Sequence, residues 1–278
     1  MKLEIINQKS VISFIFSFLI SSSVYAENLN SAFSCPLSSF PEITGEINFS
    51  TKPWHKEKLD YEIYWGFINV GQSYLYSDRI VLAGTRPAYH FISEARSSSF
   101  IDNFYQVRDL NEAWMDSETL YSYGYYKNIK EGKYIYAEWV LYDISSSSFT
   151  AQRKNKDGEI TESSGLIPGP VNDVLTSLYA VRTKNLDEGS EFSMPVNTKK
   201  NWTLIVKVHK REKIKTPAGK VRCVLIEPRI LEEGIFISKK NAKLYVWLTD
   251  DEAKIPVMIK AEIFIGSVTA KLAKRSFQ

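Results

Sequence analysis

Leu59-Asp-Tyr-Glu-Ile-Tyr-Trp-Gly-Phe-Ile-Asn-Val-Gly-Gln-Ser-Tyr-Leu-Tyr-Ser-Asp-Arg-Ile-Val81 is the stretch that decides the fold class. Leu59, Tyr61, Ile63, Trp65 and Phe67 alternate with Asp60, Glu62, Tyr64, Gly66 and Ile68. That two-residue period belongs to a strand with one buried face. A second alternating run follows Asn69-Val70-Gly71-Gln72, so the segment predicts a hairpin with its turn at those four residues.

Runs of the same kind recur at 10- to 15-residue intervals, near Ala88–Arg96, Phe104–Trp114, Tyr121–Tyr126, Tyr134–Tyr142 and Phe149–Arg153. The alternation is cleaner in the second half. Trp202, Leu204, Val206 and Val208 form one set, followed by Val221, Cys223 and Leu225, then Leu244, Val246 and Leu248, then Val257, Ile259, Ala261, Ile263 and Ile265. One segment breaks the rhythm. After Pro168-Gly-Pro-Val-Asn-Asp173, the apolar residues Val174, Leu175, Leu178, Tyr179 and Val181 follow helical spacing, with Asn172 or Asp173 placed to cap the first turn. This predicts a helix over 173–182. The expected fold is mainly β: a single antiparallel, strongly curved sheet or open β-barrel with one packed α-helix.

The N-terminus predicts an exported chain. Lys2 and Lys9 precede the apolar run Val11–Ile20, which gives way to Ser21-Ser-Ser-Val-Tyr-Ala26. A basic end, an apolar centre and a small-x-small exit make a secretory signal peptide over 1–26, cleaved between Ala26 and Glu27. The apolar run is too short to cross a bilayer, so no transmembrane segment is expected in the mature chain. Residues 27–54 read as an extended N-terminal arm and 55–278 as a single β-rich domain. The periplasm is the expected compartment. Cys35 lies well past the apolar run, with Ala32-Phe33-Ser34 before it, which does not fit a lipid-bearing cysteine.

Of 278 residues, 13% are aromatic, while only three are His and two are Cys. The formal charge of +3 falls to +2 when Lys2, Lys9 and Glu4 leave with the leader. That near-neutral balance gives no reason to expect nucleic acid, whose binding depends on concentrated basic charge. The basic run Lys207, Lys210, Arg211, Lys213, Lys215 reads as a strand edge guarded by lysines, with an anionic-lipid or polysaccharide patch as the other reading.

No nucleophile elbow, phosphate loop, dinucleotide turn, H-E-x-x-H helix or C-x-x-C pair is present, so no catalytic residue, metal site or cofactor is assigned. His55, His90 and His209 are isolated, with no oriented partner marked in the sequence. Asp250 and Asp251 lack the spaced ligands of a calcium loop and read as a hairpin turn. Cys35 and Cys223 remain after processing; an oxidising envelope permits a bridge between them, and a small buried hydrophobe is the other reading of Cys223. The aromatic residues carry two readings. Packing on half-buried strands accounts for them, and a concave apolar cavity lined by Trp65, Tyr74, Trp114 and Trp139 is the ligand-binding alternative.

Four segments together resemble a known family: W-G-F-I-N-V-G at 65–71, D-V-L-T-S-L-Y-A-V-R at 173–182, R-E-K-I-K-T-P-A-G at 211–219 and W-L-T-D-D-E-A-K-I-P-V at 247–257. In this order they resemble the bacterial exported-protein family known as domain of unknown function 3108, from about Leu59 to Leu272. The resemblance implies envelope proteins of antiparallel β-structure and carries no catalytic residues with it. The arm from Glu27 to Trp54 lies outside it. Two functions are expected from this reading. One is binding or carrying a lipid or other apolar small molecule without covalent chemistry, by architectural analogy with half-barrel lipoprotein carriers. The other is a scaffold contacting an envelope protein or polysaccharide.

Overall fold

The computed structural model describes residues 33–44, 52–232, 235–236, 243–263 and 266–277. The leader, the Ala26–Glu27 cleavage pair and Ile265 lie outside the described residues.

The strands are β1 (Glu57–Trp65), β2 (Ile68–Ala83), β3 (Arg86–Ser97), β4 (Arg108–Asp116), β5 (Ser122–Glu131), β6 (Tyr134–Asp143), β7 (Ser148–Asn155) and β8 (Ile160–Leu166). After them come β9 (Glu191–Asn197), β10 (Asn201–Thr216), β11 (Gly219–Glu232), β12 (Ile235–Phe236), β13 (Lys243–Thr249), β14 (Pro256–Ile263) and β15 (Gly266–Phe277). A one-turn helix, α1 (Ser99–Asp102), follows β3, and α2 (Val174–Val181) lies between β8 and β9.

All fifteen strands belong to one sheet, in the order β8-β7-β6-β5-β4-β3-β2-β1-β15-β14-β13-β11-β10-β9, with β12 paired to β11. Each strand pairs antiparallel with its neighbour, and the first strand joins the last. The sheet is therefore an open, barrel-like meander whose gap falls between β8 and β9, and the chain crosses that gap through α2. Extra residues interrupt the ladder at several pairings, among them Ser77/Arg79, Trp114/Met115 and Val208/Arg211. Such bulges bend strands and increase their twist, which curls a long sheet.

The opening hairpin turns at Gly66-Phe67, earlier than the Asn69–Gln72 turn that the sequence suggested. Gly66 supplies the positive φ (61°) that a tight two-residue turn needs, and Asn69 and Gly71 are absorbed into β2, with a register shift between Ile63 and Tyr64. β8 and β9, which the sequence did not mark, complete the two edges.

α2 packs against the concave face. Asp173 caps it through a capping box, accepting from the Leu175 and Thr176 N–H groups while Thr176 Oγ1 accepts from the Asp173 N–H. Phe91 on β3 stacks on Tyr179 at 3.6 Å between ring centroids, and Trp54 meets Tyr179 edge-on at 5.5 Å. At the C-terminal end the fully buried Arg182 donates to Glu57 Oε2 (2.6 Å), and Arg275 pairs with the other oxygen of Glu57 (2.8 Å). Trp54, at the end of the sequence-defined arm, thus belongs to the central core.

Residues 33–44 lie on the opposite, convex face. Pro41 O accepts from the Leu82 N–H and the Ile43 N–H donates to Ile80 O, so this segment runs beside β2 where β1 has ended. Leu37 is wholly buried among Val81, Ala83, Ala88 and Trp114. It approaches so closely that a Cβ on Gly124 (φ 145°) would meet Leu37 Cδ1 at 2.7 Å and Val140 O at 2.1 Å. Cys35 and Cys223 are free thiols in the structure. Cys35 packs over β4 and β5, whereas Cys223 is paired between β10 and β13 on another part of the sheet.

Two substitutions test these anchors. Arg182→Ala leaves Glu57 buried with one partner fewer, and urea unfolding is expected to show a loss of about 3–5 kcal/mol, the usual cost of halving a buried ion pair. Leu37→Ala is expected to cost about 2–5 kcal/mol by the same measurement, as large-to-small changes at filled sites do.

Candidate ligand-binding cavity

The interior has two unlike walls. Residues of β10, β11, β13 and β14 present the even-spaced apolar sets Leu204 and Val206, Ile226 and Ile230, Leu244 and Val246, and Ile259. Facing them, α2 contributes Val174 and Leu178, one helical turn apart and therefore on one side of the helix. Both are only half-buried: they pack against the core on one side and border the cavity on the other. The cavity between these walls holds about 900 Å³ of atom-free space, open solvent at its mouth included, of which about 110 Å³ can take the centre of a water molecule.

The wall across from β10–β14 is polar at one level. Ser93 on β3 lies opposite Asn111 on β4, Asn111 opposite Lys127 on β5, Lys127 opposite Glu138 on β6, and Glu138 opposite Arg153 on β7. Directly opposed residues share a face, so these five form a belt across five strands of the concave side. Ser93, Asn111, Lys127 and Glu138 are all buried. Ser93 and Asn111 border the apolar cavity, and Asn111 and Lys127 border a smaller adjoining pocket that shares Val174 and Leu175 with it. Burial lowers the Lys127 ammonium below the usual lysine range, against the opposing pull of Glu138 and Asp173.

Further along the same face, Asp109 is buried beside Glu131. Loss of hydration and the neighbouring Glu131 carboxylate push Asp109 up to about 9. On the convex face His90 is held between Glu112 (2.7 Å) and Asp78 (3.3 Å) and stacks on Trp114. Burial opposes its charge, but the two carboxylates outweigh it and raise His90 above the ordinary imidazole value. These partners are not visible from sequence spacing, since Asp78 and Glu112 lie on different strands from His90. Asp250 binds Arg211 and Arg222, and Asp251 Oδ1 accepts from the Ala253 and Lys254 N–H groups, which is turn geometry.

None of the four aromatic residues picked from the sequence lines the cavity. Trp65 ends β1 at the exposed hairpin tip, and Tyr74 lies on the convex face between the cations of Lys58 and Arg96. Trp114 faces the arm. Trp139 pairs with Tyr126 and Gln152 on the side opposite the polar belt. Strand parity is the reason: each of the last three alternates with the residue that does face inward. Trp202, marked from its alternation, does line the cavity. The helix face and the polar belt were missed, because one needs the crossing of α2 and the other the register of five strands.

Among the described residues no group of three or more His, Cys, Asp or Glu is placed to hold a metal ion, and no helix is long and apolar enough to cross a membrane.

The profile of the family described as protein of unknown function (DUF3108) matches residues 60–273. The chain belongs to the DUF3108 family. Solved structures resemble this DUF3108 protein at very low identity. A β-barrel-like protein of the domain of unknown function DUF1849 from Brucella abortus aligns with a TM-score of 0.54 and 8% identity, over 81% of this chain and 98% of that one. A Bacteroides fragilis chain, described as exported and with a YmcC-like fold, gives 0.35 and 10% over 85% and 98%. A Parabacteroides distasonis chain described as a lipoprotein gives 0.36 and 9% over 81% and 97%. The first likeness is one of fold alone: a β-barrel-like sheet. Comparison with curated proteins gives no match.

The Asp109 site predicts a pH dependence. Its folded pKa is raised, so between about 4, the unfolded carboxylate value, and about 9 the folded DUF3108 protein keeps a proton that the unfolded chain has released. The contribution of this buried carboxyl pair to stability falls as pH rises through that window. Urea midpoints measured from pH 5 to 9 are expected to decline less steeply in Asp109→Asn than in the parent.

Proposed function

We propose that the protein is an exported, periplasmic envelope protein that binds an apolar small molecule, such as the acyl chain of a lipid, reversibly in the cavity beneath α2. The observation that carries this reading is the cavity itself, with its half-buried Val174 and Leu178 facing the apolar sets of β10–β14. Such surface gains roughly 25 cal/mol for each Å² removed from water, so an apolar guest is favoured there and no covalent step is needed. The space open to water centres, about 110 Å³, is of the order of the ~150 Å³ apolar cavity that stays dry and accepts one benzene. It suits one chain or one ring, and not a bundle of chains. Export is supported by the basic, apolar and small-residue order of residues 1–26.

A second reading, a scaffold that docks onto another envelope component, is favoured by a different feature. Phe67 at the β1–β2 tip is 92% exposed and Phe104, after α1, is 77% exposed. The two tips are neighbours, since the Ser98 N–H donates to Val70 O.

Titration of the purified protein with cis-parinaric acid, a fluorescent fatty acid, separates the two. Cavity binding is expected to give saturable, one-to-one enhancement. Leu178→Trp, which fills the cavity from the helix side, is expected to weaken it at least tenfold with an unchanged circular dichroism spectrum. Absence of saturable enhancement in the parent protein overturns the cavity reading.

A further inference from the structure

The polar belt ends in two side chains that the fold itself does not satisfy. Ser93 Oγ and Asn111 Oδ1 have no hydrogen-bond partner among the described residues, and both residues border the apolar cavity while being more than nine-tenths buried. Buried polar atoms are nearly always paired, and leaving one unmade costs about 1–3 kcal/mol. Two such atoms side by side on one cavity wall mark a place where a polar group of a guest belongs.

The charges around them set its sign. Glu138 is paired with both Lys199 and Arg153, at 3.6 Å for the latter. Asp173 has its oxygens occupied by Ser122 Oγ–H, Thr176 Oγ1–H and the two N–H groups at the start of α2. Lys127, next to Asn111 in the belt, makes no ion pair among the described residues; its Nζ lies over the ring of Tyr125, 4.7 Å from the centroid. A buried ammonium without a carboxylate of its own is costly. Lys127, Arg153 and Lys199 together outnumber the acids that act on this lysine, Glu138 and Asp173.

We propose that the Ser93–Asn111–Lys127 wall receives the anionic head of a single-chain amphiphile whose tail occupies the apolar cavity. Lys127 supplies the charge and the Ser93 hydroxyl donates to a head-group oxygen, while the unpaired Asn111 Oδ1, an acceptor, takes a hydrogen bond from a protonated head-group oxygen such as the P–OH of a phosphate monoester monoanion. The apolar half of the interior then holds the chain and the polar belt selects among chains by their ends. This assignment rests on the cavity-binding reading above and adds the chemistry of the ligand to it. A carboxylate and a phosphate monoester both present negative charge and acceptor oxygens, the phosphate carrying more of each.

The test compares cis-parinaric acid with its methyl ester, which keeps the tail and removes the charge. The parent protein is expected to bind the acid at least tenfold more tightly, and Lys127→Met to bind acid and ester alike. Ser93→Ala, which leaves the charge in place and removes the hydroxyl donor, is expected to reduce the preference in part and covers the case in which Lys127→Met fails to fold. Displacement by dodecanoate and by dodecyl phosphate then tells which anionic head is preferred; stronger displacement by either one than by dodecanol supports the assignment. Equal affinity of the parent for acid and ester overturns the head-group assignment and leaves cavity binding standing. Failure of both probes to bind overturns the two together.

Discussion

The anchoring of α2 inside the curve of the sheet is the constraint on which the rest of the structure depends. A lone eight-residue helix is too short to be stable by itself, so its position is set by what it touches. Phe91 stacks on Tyr179, Trp54 closes over both, and Arg182 reaches Glu57 at the start of β1. Because Asp173 also binds Ser122 on β5, the helix is tied at one end to the first strand and at the other to the middle of the β1–β8 meander. The helix lies in the connection between β8 and β9, the two ends of the sheet, and its Val174 and Leu178 border the cavity.

The two faces of the sheet then divide the work. On the convex side the segment at Cys35, Leu37 and Phe40 covers Trp114 and the β2–β5 surface, and His90 with its two carboxylates lies in the same region. This arm turns what would be an exposed aromatic face into a second core. The concave side is left with an apolar wall of β10–β14 and a polar belt across β3–β7. An interior divided in this way suits an amphiphile better than it suits either a pure hydrocarbon or a polar substrate.

Much of the architecture was legible in the sequence because alternation is a local signal. The sets at Leu59–Ile63, Trp202–Val208 and Val257–Ala261 each become strands with the expected side buried, and the helix lies within one residue of its expected limits. The hairpin turn moved to Gly66-Phe67 because a bulge absorbed Asn69 to Gly71, a feature that depends on the partner strand. β8 escaped notice for a related reason: Ile160-Thr-Glu-Ser-Ser-Gly-Leu166 is an edge strand, mostly exposed, and has little apolar alternation to show.

The sequence by itself determined the fold class, the short helix and its cap, since each follows from residues within a few positions of one another, where side-chain parity and backbone hydrogen bonding act directly. It also contained the family signature. Only the tertiary structure decided which face of each strand is concave, and so sent Tyr74, Trp114 and Trp139 outward while gathering Ser93, Asn111 and Lys127 within. Parity says that alternate residues face opposite ways. Which way is inward depends on the direction in which the whole sheet curls and on the side that α2 covers, and no single strand contains that information.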